Sequence, residues 1–513
     1  MVRTLSAIVV AAAALVPAAF TLALAEAVKA DDTQARAAAI AGKAIAYLRG
    51  QQDAATGGWS IPKEGPVFPA ITGLVLTGML AEPGLKADDA AVAKGVTFIL
   101  SKQQPDGGIY DTVLPSYNTA ICISALAKAG TPEATAAVSR AVAFLRTLQY
   151  GEAAMTSGKF AGETAKIGKE HPFYGGVGYG RSGRPDASNL HWFMQALADA
   201  GVPSDDEAVQ RALVFLSRVQ MLDAINDRPY ADGSSQGGFI YSVGQSKDAM
   251  DVGQSYGGEA AESLSGPPGT VARVVLRTDG GKEHTLTRDE VRRMIGEVAE
   301  VSKYPEIRGL KTDAIILLGA SSDGLASHSF EIRTPVRSAE DLREFLFASL
   351  AGDVAERGAI RVEAVEHWQG ASRLRCYGSM TYAGFKSLVY ANLSADDPRV
   401  RAAYGWIQRH YTLEENPNVG TDGLYYYFVT FARALEAWRR TGPTRDAARR
   451  IVTYAAGDEG GTERDWAKDL VDRLEKLQNS DGSFKSVDDR WMENNPVLIT
   501  AYALIAVQHV RQK

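Results

Sequence analysis

The stretch from Lys94 to Gly130, KGVTFILSKQQPDGGIYDTVLPSYNTAICISALAKAG, predicts a helical hairpin. Apolar residues follow helical spacing on both sides of residues 105–108, whose Pro, Asp and two Gly residues cannot continue a helix cheaply. A second helix is expected from about Tyr117 to Gly130. Such a hairpin cannot bury both of its apolar faces alone, so the stretch predicts further copies stacked beside it.

Copies of the hairpin appear wherever an aliphatic residue is followed four positions later by Gln. The pairs are Leu48 and Gln52, Ile99 and Gln103, Leu145 and Gln149, Leu216 and Gln220, and Leu474 and Gln478. In the first four, an aromatic residue precedes the aliphatic one and a Lys or Arg lies four residues before that aromatic residue. Trp406-Ile407, with Tyr411 in the Gln position, is a degenerate sixth copy. The partner helices are expected to begin near Phe68, Tyr117, Ala187, Tyr377, Leu424 and Val497.

Six hairpins predict a mainly α fold. We expect an (α/α)6 toroid, with outer and inner layers of helices and a central cavity at the N-termini of the inner helices. Small residues in the predicted inner helices, such as Ala120 and Gly384, suit close packing around a tight axis. An open solenoid is the alternative, because periodicity alone does not require the ring to close.

Residues 265–370 interrupt the repeat and have a different character. Strands are predicted at 271–277, 314–318, 329–333 and 360–365, and helices at 288–301 and 339–350. The resulting order β-α-β-β-α-β is that of a ferredoxin-like unit. The predicted organisation is a signal peptide at 1–25, a toroid at 31–264 and 371–513, and an inserted α+β ferredoxin-like domain at 265–370.

The N-terminus differs from the rest of the chain. Arg3 precedes an Ala-rich apolar run over residues 5–24, and Ala23-Leu24-Ala25 fits a small-x-small cleavage site. These features predict a cleavable signal peptide and a periplasmic or secreted protein, with no Cys at the junction for lipidation. An uncleaved anchor is the alternative, because the run approaches spanning length. No membrane span is expected after cleavage.

The net charge bears on which partners are expected, and the positions of the cysteines bear on whether a disulfide is expected. The formal net charge is −6 and no basic run stands out, so nucleic acid is not an expected partner. Cys122 and Cys376 are the only cysteines. They fall on the predicted inner helices of the second and fourth hairpins, which a ring would hold apart. Two buried free thiols are therefore expected.

The repeat units resemble a known sequence pattern. Lys43, Tyr47-Leu48, Gln52 and Gly58-Trp59 look like a QW repeat of the squalene-hopene cyclases and related terpene cyclases. The same toroid is shared by the β subunits of protein prenyltransferases. The resemblance implies the fold of everything outside the insert but little about activity, because these repeats are structural. It also implies that each Gln caps helix-end backbone groups, with the following aromatic residue stacked against it.

The catalytic signatures of these relatives are missing. Class II terpene cyclases use a D-x-D-D motif to protonate an alkene or epoxide above an aromatic cavity. Thr119-Ala120 resembles the continuation of that motif, but residues 115–118 contain no acid. The acidic pairs Asp396-Asp397 and Asp488-Asp489 have Ser394 and Ser486 where the first Asp of the motif would be. Prenyltransferases hold zinc with an Asp-x-Cys pair, which neither cysteine matches. No standard class II cyclisation, metal or other cofactor is expected.

Aromatic, amide and acidic side chains cluster at the predicted starts of the inner helices. The hypothesis is an exported protein that binds an apolar or isoprenoid-like molecule in the toroid cavity, with the insert as a contact surface for a protein partner. The candidate cavity residues are Tyr117, Asn118, Asp186, Asn189, His191, Trp192, Cys376, Tyr377, Tyr382, Asp422, Tyr425, Tyr426 and Asn495.

Two enzymatic alternatives stay open from the sequence. A polysaccharide hydrolase would need two carboxylates facing each other, which Asp186, Glu415, Asp422 and Glu493 could supply. A polysaccharide lyase would need a base and a cation, for which His191 and Arg375 are candidates. The second alternative is a terpene cyclase with a non-standard acid. A wall with two carboxylates at hydrolase distance would favour sugar chemistry, and an uncharged aromatic wall would favour lipid binding.

Overall fold

The computed structural model describes residues 32–152, 167–180, 184–231, 233–243, 253–256, 374–441, 449–454, 460–486 and 490–512, together with the backbone of four strands between 270 and 367. Within these residues, helices alternate between an outer and an inner layer. The outer helices are α1 (32–50), α3 (Ala90–Ser101), α5 (Pro132–Leu148), α7 (Glu207–Val219), α9 (Pro398–Arg409) and α11 (Trp466–Leu477). The inner helices are α2 (Pro69–Met79), α4 (Pro115–Ala129), α6 (Ala187–Asp199), α8 (Gly378–Tyr390), α10 (Leu424–Thr441) and α12 (Pro496–Arg511).

Side-chain caps start most of the outer helices. Each cap is an Asp or Thr whose side-chain oxygen accepts hydrogen bonds from the first free backbone N–H groups. The caps are Asp89, Thr131, Asp206, Asp397 and Asp465. The Asp396-Asp397 pair therefore contributes a helix cap, because Asp397 accepts from the backbone nitrogen of Arg399 at 2.9 Å.

The inner helices form a closed ring. Each packs on the next in chain order, and α12 returns to pack against α2. The outer layer closes too, since Arg36 of α1 pairs with Asp472 and Glu475 of α11. The Gln34 amide also joins α1 to the inner helix α12, because it donates to the carbonyl of Val510 at 2.9 Å. The predicted toroid is thus confirmed, and the open solenoid is excluded.

The repeated Gln residues join neighbouring hairpins. Each side-chain amide donates one hydrogen bond to the glycine carbonyl of its own turn and another to a carbonyl in the next outer helix. Gln103, for example, reaches Gly107 at 3.0 Å and Ala137 at 2.9 Å. The same pair of bonds is made by Gln52, Gln149, Gln220 and Gln478. Neither acceptor belongs to the helix that the Gln follows, so the Gln side chain bridges its own turn and the next outer helix.

The aromatic and basic positions of the repeat have separate roles. The Trp59 indole donates to the carbonyl of Leu48 at 2.6 Å, so the aromatic residue caps the last turn of α1. Arg140 donates to Oε1 of Gln103, which belongs to the preceding hairpin, at 3.0 Å. Tyr411, which replaces Gln in the degenerate copy, donates to Asp469 of the next outer helix at 2.9 Å. A side-chain hydrogen bond therefore links the hairpins at this junction as well.

The strands between residues 270 and 367 form one antiparallel sheet. They are β1 (Thr270–Arg277), β2 (Ile315–Ala320), β3 (Ser327–Thr334) and β4 (Ile360–His367), in the order β2-β3-β1-β4. The four predicted strands coincide with these within a few residues. The predicted helices at 288–301 and 339–350 and the signal peptide lie outside the described residues, so the ferredoxin-like domain and its boundaries stay predictions. A second, two-stranded sheet pairs β5 (Arg450–Thr453) with β6 (Thr462–Asp465).

Both cysteines are buried free thiols, as expected from their separate helices. Cys122 lies on α4, where burial raises the pKa of its thiol. Cys376 lies just before α8. Among the described residues, no helix combines the length and the apolar character that a membrane crossing requires.

Candidate functional site

A cavity of about 390 Å³ lies on the toroid axis at the N-terminal ends of the inner helices. All six inner helices contribute to its wall. The side chains they provide are Ala70, Ile71, Leu74, Tyr117, Asn118, Ile121, Ser188, Ser379, Met380, Tyr426, Leu498 and Tyr502. The loops before these helices add Phe68, Leu114, Tyr179, Tyr241, Tyr256, Tyr377, Asn416, Asp422, Gly423, Trp491, Met492 and Glu493. The wall is therefore mainly aliphatic and phenolic.

Five of the thirteen candidate cavity residues lie in this wall. They are Tyr117, Asn118, Tyr377, Asp422 and Tyr426. Asn118 also has a structural task, because its Oδ1 accepts from the backbone nitrogen of Ala70 at 3.0 Å and so connects α4 with the start of α2. The ring thus brings these residues from three separate hairpins to one chamber.

The other candidates lie outside the wall. Asp186 and Asn189 hydrogen-bond each other at the start of α6, and Asn495 caps α12. Tyr382 packs on Tyr427 and Phe431, and Tyr425 packs on Phe428 and Phe484. Cys376 is fully buried before α8, and His191 and Trp192 are buried beside Tyr426. Consecutive helical residues point about 100° apart, so only Tyr426 of the run 425–427 faces the axis.

The tyrosine hydroxyls of the wall form short polar chains. Tyr117 and Ser188 share a hydrogen bond, and the Ser188 hydroxyl lies 3.4 Å from that of Tyr426. Tyr179 and Tyr241 share another at 2.8 Å, and the rings of Tyr117 and Tyr179 stack with centroids 5.5 Å apart. The hydroxyls therefore satisfy one another, which leaves ring carbon toward the chamber.

Burial keeps the tyrosines of this wall in their protonated, neutral form. Desolvation raises the pKa of each of its tyrosines, so they remain neutral phenols near pH 7. The same cause raises the pKa of Asp186, just behind the wall, to about 6, although Asn189 hydrogen-bonds its charged form. Tyr241 also hydrogen-bonds this carboxyl.

The carboxylates at the wall are engaged in local contacts. Asp422 accepts from Tyr256 at 3.0 Å and from Arg490 at 3.2 Å. Glu493 Oε1 accepts from the backbone nitrogens of Tyr425 and Tyr426 at 3.1 and 3.0 Å, and so caps the start of α10. A carboxylate at a helix N-terminus is favoured by the helix dipole. These roles are structural for the toroid, whereas a glycosidase acid and base must face a scissile bond.

A short turn closes one side of the chamber. It runs over Arg490–Met492, and Trp491 and Met492 both have positive φ angles, near 59° and 64°. The Trp491 indole donates to the Tyr256 hydroxyl at 3.3 Å, and the Arg490 guanidinium lies 4.4 Å from the Tyr256 ring centroid. Both apolar side chains are also partly exposed to solvent. The turn therefore forms the rim between the chamber and the outside.

Several wall residues were missed because they come from loops. Tyr179 belongs to the aromatic, glycine-rich stretch between α5 and α6, whose composition was the available signal. Tyr241 and Tyr256 follow the turn of the fourth hairpin, and Trp491 precedes α12. Nothing local in the sequence places these loops over the axis.

Metal binding has no visible site in this chamber. Among the described residues, no group of three or more His, Cys, Asp and Glu side chains is arranged to hold a metal ion.

Comparisons with known proteins agree with this architecture. The squalene-hopene cyclase C-terminal domain family matches residues 64–242. Solved structures of the type II terpene cyclase MstE from Scytonema are also similar. A variant in complex with its substrate geranylgeranyl dihydroxybenzoate shares 13% identity and a TM-score of 0.28, covering 94% of this chain and 99% of that chain. The apo enzyme shares 13% identity and a TM-score of 0.27, with coverage of 92% and 98%.

These structural likenesses are too weak to support any inference about ligand or activity. No curated protein matches the chain. The family match instead falls on the hairpins whose Gln bridges are described above, including the turns after Gln103, Gln149 and Gln220. The closed ring of such repeats and the family match over residues 64–242 together support a squalene-cyclase-like α/α toroid.

Proposed function

We propose that this protein binds an apolar or isoprenoid-like molecule in the central cavity, without class II cyclisation. The observation that carries the proposal is the chamber itself, to which all six inner helices contribute aliphatic and phenolic side chains. Its volume of about 390 Å³ falls within the roughly 300–1,000 Å³ of small-molecule pockets. Burial of apolar ligand surface against such a wall is the main source of affinity.

The chemistry of the wall supports binding over protonation of an alkene. Class II cyclisation needs a strong acid that faces the substrate. The position that resembles the acidic motif carries Tyr117 and Asn118, and their polar groups contact Ser188 and backbone groups. Phenols whose pKa is raised by burial are poor acids toward a carbon base. The two carboxylates in the wall, Asp422 and Glu493, have the local partners described above.

The proposal also includes export of the protein from the cytoplasm. The signal sequence read at residues 1–25 would deliver the protein to the periplasm or outside the cell, where a carrier or sensor of apolar molecules needs a closed chamber. The predicted insert at 265–370 would then offer a contact surface for a protein partner. This part rests on the sequence alone.

The test is native mass spectrometry of the protein purified from its own envelope fraction, followed by identification of any co-purifying lipid. Leu74→Trp fills the chamber and is expected to abolish the bound mass. Leu85→Trp, at a partly exposed site outside the wall, is the matched control and should keep it. An empty wild-type protein that releases reducing ends from a polysaccharide panel would refute the proposal.

A further inference from the structure

A second polar group of side chains lies deeper on the toroid axis and plays no part in the proposed function. We call it the axial cationic cluster, which consists of His191 and Gln195 on α6, Lys386 on α8 and Arg433 on α10. All four are at most 4% exposed. Arg433 follows Tyr426 by two helical turns, so it lies roughly 10 Å farther along the axis than the chamber wall.

Contacts across the ring place this cluster in the interior. The Arg433 guanidinium lies 5.2 Å from the ring centroid of Trp192, and His191 lies 5.9 Å from the ring of Tyr426. Both contacts join α10 with α6, although α8 separates these helices in the ring. The side chains therefore meet on the axis rather than between neighbouring helices.

The positive charge of the cluster lacks a carboxylate partner. Within the described part of the chain, Arg433 and Lys386 form no ion pair, and Nη1 of Arg433 is buried with no hydrogen-bond partner. Lys386 donates to the neutral Oε1 of Gln195 at 2.6 Å. Both ring nitrogens of His191 are likewise buried and unbonded. Buried nitrogens of Arg433, Lys386 and His191 thus converge, and none of the three side chains forms an ion pair within the described residues.

The nearest acids form no ion pair with these cations within the described residues, although the charge of Asp199 favours the protonated form of Lys386. Asp199, one turn after Gln195, accepts from the Gln195 amide at 2.9 Å and makes no ion pair in the described residues. Glu436, one turn after Arg433, is held by Arg439 at 2.8 Å and by Arg440 at 2.7 Å. The cluster keeps a net positive charge.

A purely structural role does not account for this arrangement. Arg remains protonated in proteins, and an unpaired buried charge is costly. A cation–π contact such as that with Trp192 offsets only part of this cost. Stabilisation of helix C-termini would require donation to their carbonyls, whereas the bond of Lys386 goes to a side chain. Burial, and then Arg433, hold the pKa of Lys386 well below its usual range, a shift that a bound anion would reverse.

We propose that the axial cationic cluster binds a phosphate-type oxyanion, with Arg433 and Lys386 supplying charge and His191 a hydrogen bond. Several donors from three helices suit an anion with more acceptor oxygens than a carboxylate has. We expect access from the end of the toroid opposite the chamber, where Lys128 is exposed and His509 partly exposed in the last turns of α4 and α12. The phosphate group arrives either free or as the head group of a lipid whose chain fills the chamber.

Thermal unfolding and calorimetry with inorganic phosphate test the site directly. Phosphate should raise the Tm of the wild type and bind with a measurable Kd, while Arg433→Met and Lys386→Met weaken binding about tenfold or more. Arg401→Met, at an exposed position on outer helix α9, is the matched control and should bind normally. In phosphate-free buffer Arg433→Met should unfold at or above the wild-type temperature, because it removes an unpaired buried charge.

Two further probes distinguish the sources of the phosphate. If the natural ligand is a lipid head group, dodecyl phosphate should bind at least tenfold more tightly than inorganic phosphate. Leu74→Trp should then remove this gain in affinity, because it fills the chamber that would hold the alkyl chain. Equal affinities identify the free anion, and both results support the site. Equal effects of phosphate and chloride at matched ionic strength, or an Arg433→Met variant that is less stable in phosphate-free buffer and binds phosphate normally, would overturn it. Neither result depends on the apolar ligand proposed for the chamber.

Discussion

The side-chain amide of Gln478 donates a 3.0 Å hydrogen bond to the carbonyl oxygen of Ile40, and this bond joins the last hairpin of the ring to the first. A second bond from the same amide holds the Gly482 carbonyl at 3.1 Å. The amide therefore fixes its own turn and closes the ring. The sixth hairpin uses the same device as the hairpins that precede the insert.

Gln478→Ala should destabilise the toroid. The substitution removes both hydrogen bonds of the bridge, each of which contributes about 0.5–1.5 kcal/mol. Urea unfolding followed by circular dichroism should give a lower midpoint with an unchanged slope. Gln210→Ala is the control, because Gln210 makes a single exposed bond to Ser204 and its loss should cost less than about 0.5 kcal/mol. Equal effects of the two substitutions would show that the bridge does not stabilise the ring.

Gly107→Ala should be more costly than an ordinary substitution in a turn. Gly107 has a φ of +90°, and an added Cβ would lie 2.7 Å from the carbonyl oxygen of Arg140 on the next outer helix. Gly65 is the matched control, since its φ is +92° but open space surrounds its Cβ position. Gly65→Ala should cost only backbone strain, about 1–2 kcal/mol, and Gly107→Ala should cost that plus the steric clash. The difference between the unfolding free energies of the two variants measures the cost of the steric clash with the Arg140 carbonyl.

The ring of hairpins could be predicted from the sequence, whereas much of the cavity wall could not. The spacing of Gln103, Gln149 and Gln220 predicted the hairpins and their order, because each copy carries its signal locally. It did not predict which of Tyr425, Tyr426 and Tyr427 faces the axis, because that depends on the rotation of α10 against its neighbours. The loop residues of the wall, such as Tyr241 and Trp491, were missed because only closure of the ring brings them together. Their sequence surroundings carry no periodic signal.

Asp186→Asn should change how stability depends on pH. Burial raises the pKa of Asp186 in the folded state to about 6, above the ordinary aspartate value of 3.8. Between these values the folded state holds a proton that the unfolded state has lost, so stability falls as the pH rises from about 4 to about 6. The variant lacks this dependence and should be more stable than wild type at pH 7, by up to about 3 kcal/mol. The two should converge near pH 4.

Asp206→Asn provides the control of opposite sign. Asp206 also caps an α-helix, but its hydrogen bond with Arg146 lowers its pKa. Its contribution is present above the unfolded pKa and is lost as the pH falls, so Asp206→Asn should destabilise the protein at pH 7 and have a diminishing effect in acid. Chemical unfolding at half-unit steps from pH 4 to pH 7.5 measures both variants. Parallel profiles for the two would refute the assignment of a buried, proton-binding carboxyl to Asp186.

Tyr411→Phe should weaken the one junction that lacks a Gln. The Tyr411 hydroxyl is the donor that holds Asp469 at 2.9 Å, while its ring packs on Phe431. Phe keeps the ring contact and removes only the hydroxyl, so a loss of about 0.5–1.5 kcal/mol is expected. The pKa of Asp469 is already raised by burial, and loss of this hydrogen bond should raise it further. Titration of the Asp469 carboxyl by NMR would detect that shift. Tyr404→Phe, on the outer helix α9 just before Tyr411, changes a residue without a bond to Asp469 and should leave the pKa of Asp469 unchanged.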